Sequence, residues 1–155
     1  MHTFAGGFRT DSDDYKNMEK KRHIKVAGVL FFVWTAVILY GSLSPGDDLP
    51  PMGWLARIPH FDKIVHFCFY LGQVLLLLLW LQPSRGNRIW VALCAIIFSG
   101  TIELLQGEYF DRSADWLDLA ANSAGALAGI PLARLAERLI FKKDSGNETP
   151  PNNDN

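Results

Sequence analysis

Residues 64–84 read IVHFCFYLGQVLLLLLWLQPS, a run without a single Asp, Glu, Lys or Arg. About 20 helical residues at roughly 1.5 Å each span the hydrocarbon core of a bilayer, about 30 Å thick, so this run can cross a membrane. Working outward, residues 26–46 form a second charge-free run of the same length, and residues 89–107 are apolar apart from Glu103. Residues 119–133 are a shorter charge-free run that extends back to Trp116 and on to Leu139. Four core helices this apolar would leave a small water-soluble protein too little polar surface. The expected fold is therefore an all-α membrane protein, a four-transmembrane-helix bundle. Residues 1–23 are expected to form a polar N-terminal segment, 24–141 the membrane domain and 142–155 a disordered tail.

Averages over the whole chain hide this layout. The 155 residues are 49% apolar and 20% charged, with a mean hydropathy of +0.09. The length suits one domain. Fifteen Lys and Arg against sixteen Asp and Glu give a net charge of −1, which leaves no basic face for a string of phosphates and excludes nucleic acid as a partner. Two cysteines exclude a disulfide scaffold and a four-cysteine zinc site. Cys68 and Cys94 sit near opposite ends of their helices, a vertical gap on the order of 10–15 Å, so both are expected to be free, buried and inert.

The basic residues set the expected orientation. Arg9, Lys16, Lys20, Lys21, Arg22 and Lys25 precede the first apolar run, Arg85 and Arg88 lie in the turn between the second and third, and Arg134, Arg138, Lys142 and Lys143 end the fourth. The other side carries only Arg57, Lys63 and Arg112. Positive charge stays inside, so both termini are expected to be cytoplasmic, in the inner membrane of a bacterium. The Lys20 to Lys25 cluster is read as this topology signal rather than as a site for anionic lipid. The first apolar run is too long for a signal peptide and is read as an uncleaved anchor. Met18, at the head of MEKKRHIKV, is a natural start for such a chain and makes residues 1–17 a candidate upstream extension. Trp54, Trp80, Trp90 and Trp116 read as an interfacial belt.

With the helices oriented, the polar residues gather at one depth, in the outer third of the membrane. Asp62 and His66 are spaced i, i+4, Glu103 and Gln106 i, i+3, and Asp115, Asp118 and Asn122 i, i+3, i+7, each set on one helical face. Turning these faces towards one another spares lipid the contact with a carboxylate or imidazole. Asp62, Asp115 and Asp118 stand at helix N-termini, where carboxylates also serve as caps. Glu103 lies near a helix C-terminus, where the dipole disfavours its charge. It needs a proton or a partner, and Arg112, Lys63 and His66 are the candidates. In the run NSAGALAG, small residues recur around Gly125 and Gly129, a pattern for close helix approach that is read as packing within the bundle. Pro131 is expected to bend the inner half of that helix.

The combination of Ser42-Leu43-Ser44-Pro45, Asp62-Lys63-x-x-His66-Phe67-x-x-Tyr70, Glu103-x-x-Gln106 and Arg112-x-x-Asp115-x-x-Asp118-x-x-x-Asn122-x-x-Gly125 resembles VanZ-like membrane proteins from residue 24 to about residue 140. The resemblance implies a small four-helix membrane protein, in a family whose founding member is linked to resistance to the glycopeptide teicoplanin.

The leading functional expectation is a non-enzymatic binding or modulating protein with an outer polar pocket for a membrane lipid or lipid-linked cell-wall precursor. Its ligand-binding set is Asp62, Lys63, His66, Tyr70, Glu103, Gln106, Arg112, Asp115, Asp118 and Asn122. Lys63 and Arg112 would hold a phosphate or carboxylate, while Gln106 and Asn122 fix its orientation. An intramembrane enzyme acting on a lipid headgroup, with Glu103 or His66 as acid or base and Asp118 orienting it, is the first alternative; a purely structural partner is the second. The chain lacks the signatures of lipid alcohol phosphotransferases, lipid phosphatases and rhomboid-type proteases. No cofactor is expected, and no metal either, because the spacing of His66 and the carboxylates matches no metal motif. Homo-oligomerisation is left open.

Overall fold

The computed structural model describes residues 11–44, 58–109 and 115–141. They form four α-helices: α1 (Asp11–Leu43), α2 (Phe61–Leu81), α3 (Arg88–Tyr109), entered through a short 3-10 turn at Arg85–Asn87, and α4 (Trp116–Phe141). Local chemistry marks several ends. At the C-terminus of α2, Gln82 adopts a left-handed conformation (φ 46°) and its N–H bonds the Leu78 carbonyl at 2.9 Å, just before Pro83, which has no N–H to continue the ladder. At the start of α4, Asp115 Oδ1 accepts the Leu117 N–H at 2.8 Å and caps the helix, as its position suggests. Asp62 is not the cap of α2. His60 holds that position without a side-chain bond, and Asp62 lies inside the first turn.

Helix α1 begins at Asp11 and continues without a break into the apolar stretch, 33 residues in all. A helix of that length measures about 50 Å and must protrude from a hydrocarbon core of about 30 Å. The loss of charge at residue 26 marks where lipid can begin, not where the helix begins.

Contacts between helices give the topology. Trp34 of α1 donates its indole N–H to the Phe69 carbonyl of α2 at 2.8 Å, and further towards the start of α1, Phe31 and Phe32 meet Trp80, so α1 and α2 are antiparallel. Lys63 meets Asp118, His66 meets Asn122, and Gly129 lies against Leu71 and Val74, so α2 and α4 run parallel. Asn122 meets Ser99 whereas Glu137 meets Arg88, which makes α3 antiparallel to α4. The start of α1 and the end of α4 therefore lie at the same end of the bundle.

Small residues set the closest approaches. A Cβ on Gly125 would overlap the Phe67 carbonyl oxygen, and one on Gly129 would stand 2.9 Å from Val74 Cβ. The small-residue face of α4 thus seats against α2, inside the bundle as expected. Between α1 and α2 the arrangement is reciprocal. The Trp80 ring covers Gly28 and the Trp34 ring covers Gly72, each placing its indole nitrogen 2.8 Å from where a Cβ would be. Trp80 is consequently a packing residue, while Trp90 and Trp116 are exposed as interfacial tryptophans would be. Trp54 lies outside the described residues.

Ile38, Tyr70, Val74, Leu78, Ala92, Ala95, Ile102, Ala126 and Ala133 make the buried core. Many larger apolar side chains face outward instead, among them Val29, Phe32, Ile97, Leu104, Leu117 and Leu139. Water does not tolerate such a surface, and a bilayer does. Three helical segments, Asp14–Leu43, Phe61–Leu81 and Arg85–Glu108, are long and apolar enough to cross a membrane. Helix α4 is long enough at 26 residues but is more polar. It continues through Pro131 to Phe141. Cys68 and Cys94 are free, but both are exposed rather than buried, on the outward faces of α2 and α3.

Candidate functional site

The N-terminal turns of α2 and α4 and the C-terminal half of α3 meet at the end of the bundle away from the start of α1. The parallel run of α2 and α4 places Lys63 beside Asp115 and Asp118. Lys63 Nζ lies 2.5 Å from Asp115 Oδ2, 2.6 Å from Asp118 Oδ1 and 2.8 Å from Asp62 Oδ2, so one ammonium serves three carboxylates. The Lys63 ammonium, with help from the Leu117 N–H, holds the Asp115 carboxyl below the usual carboxylate range. Within the protein, these three carboxylates compensate the charge of Lys63.

One turn deeper lies a second layer. His66 Nδ1 is 3.1 Å from Asn122 Oδ1, and the amide nitrogen of Asn122 donates to Ser99 Oγ at 2.6 Å and to Glu103 Oε1 at 3.5 Å. His66 Nε2 faces Asp118 Oδ2 at 3.7 Å, and His66 Nδ1 is 3.9 Å from Glu103 Oε1. Asn122 is 1% exposed and Glu103 7%. Of the candidate partners among the described residues, His66 is the one beside Glu103. Lys63 is taken up by the aspartates, and Arg112 lies outside the described residues.

Two further members of the expected set lie at the margin of these layers. Gln106 donates its amide to the Ser42 carbonyl and ties α3 to α1 rather than lining the site. Tyr70 is buried one turn below His66 with its hydroxyl turned to Ser99, so it adjoins the second layer from the core side. Ser99 was missed by the sequence reading, although a signal was present: Ser99, Glu103 and Gln106 follow one another at i, i+4, i+7 on one face of α3. Arg88 was read only as a topology marker. Its Nη2 lies 3.0 and 2.8 Å from the two carboxylate oxygens of Glu137, in an inter-helix pair at the opposite end of the bundle.

A cleft of about 320 Å3 opens beside the polar layers between α3 and α4. Ile97, Gly100, Thr101, Leu104, Trp116 and Leu119 give it apolar walls, and Glu103 and Asp115 line it as well. This volume falls at the small end of the range for ligand pockets, about 300–1,000 Å3.

Apolar helices long enough to cross a bilayer, closing at one end over interlocked polar side chains, define a helical membrane protein with a charged site built inside the bundle. More particularly, the chain belongs to the VanZ/LLP1 family, whose family model matches residues 8–137. No curated protein and no solved structure shows a significant match to it.

Proposed function

We propose that this protein is a non-enzymatic receptor or modulator that holds the headgroup of a membrane lipid, or of a lipid-linked cell-envelope component, at the polar end of the bundle. One observation carries the reading: the apolar cleft between α3 and α4 shares Glu103 and Asp115 with the polar layers, so a single amphiphile can reach both. An acyl or isoprenoid chain suits the apolar walls, and a headgroup suits the carboxylates, His66 and Asn122. In this reading α4 is a fourth transmembrane span, because it packs lengthwise on α2. The polar end faces outward from the cytoplasmic membrane of a bacterium, and both termini are cytoplasmic by the distribution of Lys and Arg. A role in glycopeptide resistance belongs to the same proposal and rests on the family resemblance alone.

Native mass spectrometry of the purified protein tests the reading, with a co-purified lipid as the expected result. Gly100 supplies the contrast. A Cβ there meets only Leu119 Cδ1 at 3.8 Å, ordinary van der Waals contact. Gly100→Ala should retain the lipid and Gly100→Leu, which fills the cleft, should lose most of it at unchanged helix content. Equal retention in both variants would count against the cleft. Conversion of a labelled lipid extract would move the reading to an intramembrane enzyme, for which the His66 ring set between the Asp118 and Glu103 carboxylates is the favouring observation.

A further inference from the structure

His66, Glu103 and Asp118 come from three different helices, and one donor atom from each lies within 4.8 Å of the others. We infer that these three side chains form a binding site for a divalent metal ion of the zinc class, with Asn122 as its positioning residue. The inference goes beyond the lipid reading and does not depend on it, because the ion would be held by protein atoms alone.

The hydrogen-bond network fixes which atoms are available. The amide nitrogen of Asn122 faces Ser99 Oγ and the Glu103 carboxylate, so its carbonyl oxygen faces His66 Nδ1. An amide oxygen only accepts, so Nδ1 carries the proton and the lone pair of the neutral imidazole lies on Nε2. That nitrogen points at Asp118 Oδ2, 3.7 Å away. Two ligand atoms, each about 2.1 Å from a tetrahedral zinc ion, are about 3.4 Å apart, so a movement of a few tenths of an ångström brings this pair to ligand spacing. Asp118 uses its other oxygen, Oδ1, for Lys63 and leaves Oδ2 for the ion. A histidine whose distal N–H is anchored by a carbonyl is the usual arrangement behind a metal-bound imidazole.

Charge points the same way through an independent observation. Glu103 is more than nine-tenths buried, its Oε1 3.9 Å from His66 Nδ1 and 3.5 Å from the Asn122 amide nitrogen, and among the described residues no Lys or Arg nitrogen lies within 4.0 Å of it. Asp62, Asp115 and Asp118 share the ammonium of Lys63, and among the described residues Glu103 has no such cation beside it. A dication between Glu103, Asp118 and His66 would place positive charge beside both carboxylates, and one nitrogen with two carboxylate oxygens is a donor set that zinc accepts. Three protein ligands leave a coordination position for water or a ligand atom. The sequence spacing matched no metal motif because each ligand comes from a different helix.

The test uses the full chain in detergent, stripped with a chelator and then titrated with zinc or with cobalt(II) as a spectroscopic probe. The wild type should bind one ion per chain, with ligand-field bands from cobalt that zinc abolishes. His66→Ala and Glu103→Gln should remove these bands, His60→Ala should leave them, and Asn122→Ala should weaken binding by about 10–100-fold. Failure of the wild type to bind either ion would overturn the proposal without reference to any variant. So would binding that survives both His66→Ala and Glu103→Gln undiminished. Lipid content is read on the same samples, so that bound metal without lipid refutes the lipid reading alone, and lipid without metal refutes this one alone.

Discussion

Gly125→Val should separate α4 from α2 and cost the protein most of its fold. A Cβ at this position meets the Phe67 carbonyl oxygen and then Leu71 N at 3.1 Å, both backbone atoms, so no rotamer change makes room. Overpacking usually costs about 1–3 kcal/mol, and a clash that only helix displacement can relieve belongs at or above the top of that range. The displacement also pulls Asp118 and Asn122 away from Lys63 and His66, because the four residues face one another along the same two helices. The expected result is a large fall in the thermal midpoint of the detergent-solubilised protein. Gly86→Ala serves as the control: a Cβ there meets nothing within 4 Å, and the midpoint should stay within experimental error. A Gly125→Val protein as stable as the control would show that α2 and α4 do not pack in this way.

The second large effect is expected at the opposite end of the bundle. Arg88 is 8% exposed, and its one paired nitrogen, Nη2, meets both oxygens of Glu137. Its Nε and Nη1 are buried without a hydrogen-bond partner among the described residues. Glu137→Ala would leave that guanidinium without its counter-charge, and Arg88→Ala would leave the carboxylate without its own. Breaking a buried pair from one side costs about 3–5 kcal/mol, whereas replacing both partners by apolar residues of similar volume is often neutral or better. Each single variant should therefore unfold at much lower denaturant, and Arg88→Met combined with Glu137→Leu should recover most of the loss. A double variant no better than the sum of the singles would mean that the two charges do not act as a pair.

These two cases show how far the chain could be read without its fold. Gly125 and Gly129 stood out as a small-residue face, and packing within the bundle followed correctly. The helix that face meets was not readable, since any of the other three offers an apolar surface. Arg88 and Glu137 are separated by nearly fifty positions and come together only because α3 and α4 are antiparallel, so their pairing left no local trace. The polar site was more legible. His66, Glu103, Asp118 and Asn122 could be placed at one depth by counting residues along their helices, and the structure does bring them together. The pairing was not legible, because several cations lay within plausible reach of Glu103. Lys63, at the start of α2, meets the N-terminal turn of α4 rather than the deeper Glu103, and among the described residues it is His66 that stands beside the glutamate.

The fate of the cysteines has the same origin. Cys68 and Cys94 were expected to be buried, and both face outward. In a water-soluble protein, the alternation of polar and apolar residues tells the inner face of a helix from the outer one. Lipid is as apolar as a side-chain core, so this contrast vanishes within a bilayer. By itself, then, the sequence determined the apolar helices and which polar residues share a helical face, because these depend on composition along a single helix. Only the tertiary structure decided which helices touch, which charges pair and which face meets lipid. Those choices rest on glycine contacts and hydrogen bonds between segments distant in the chain, and hydropathy is blind to both.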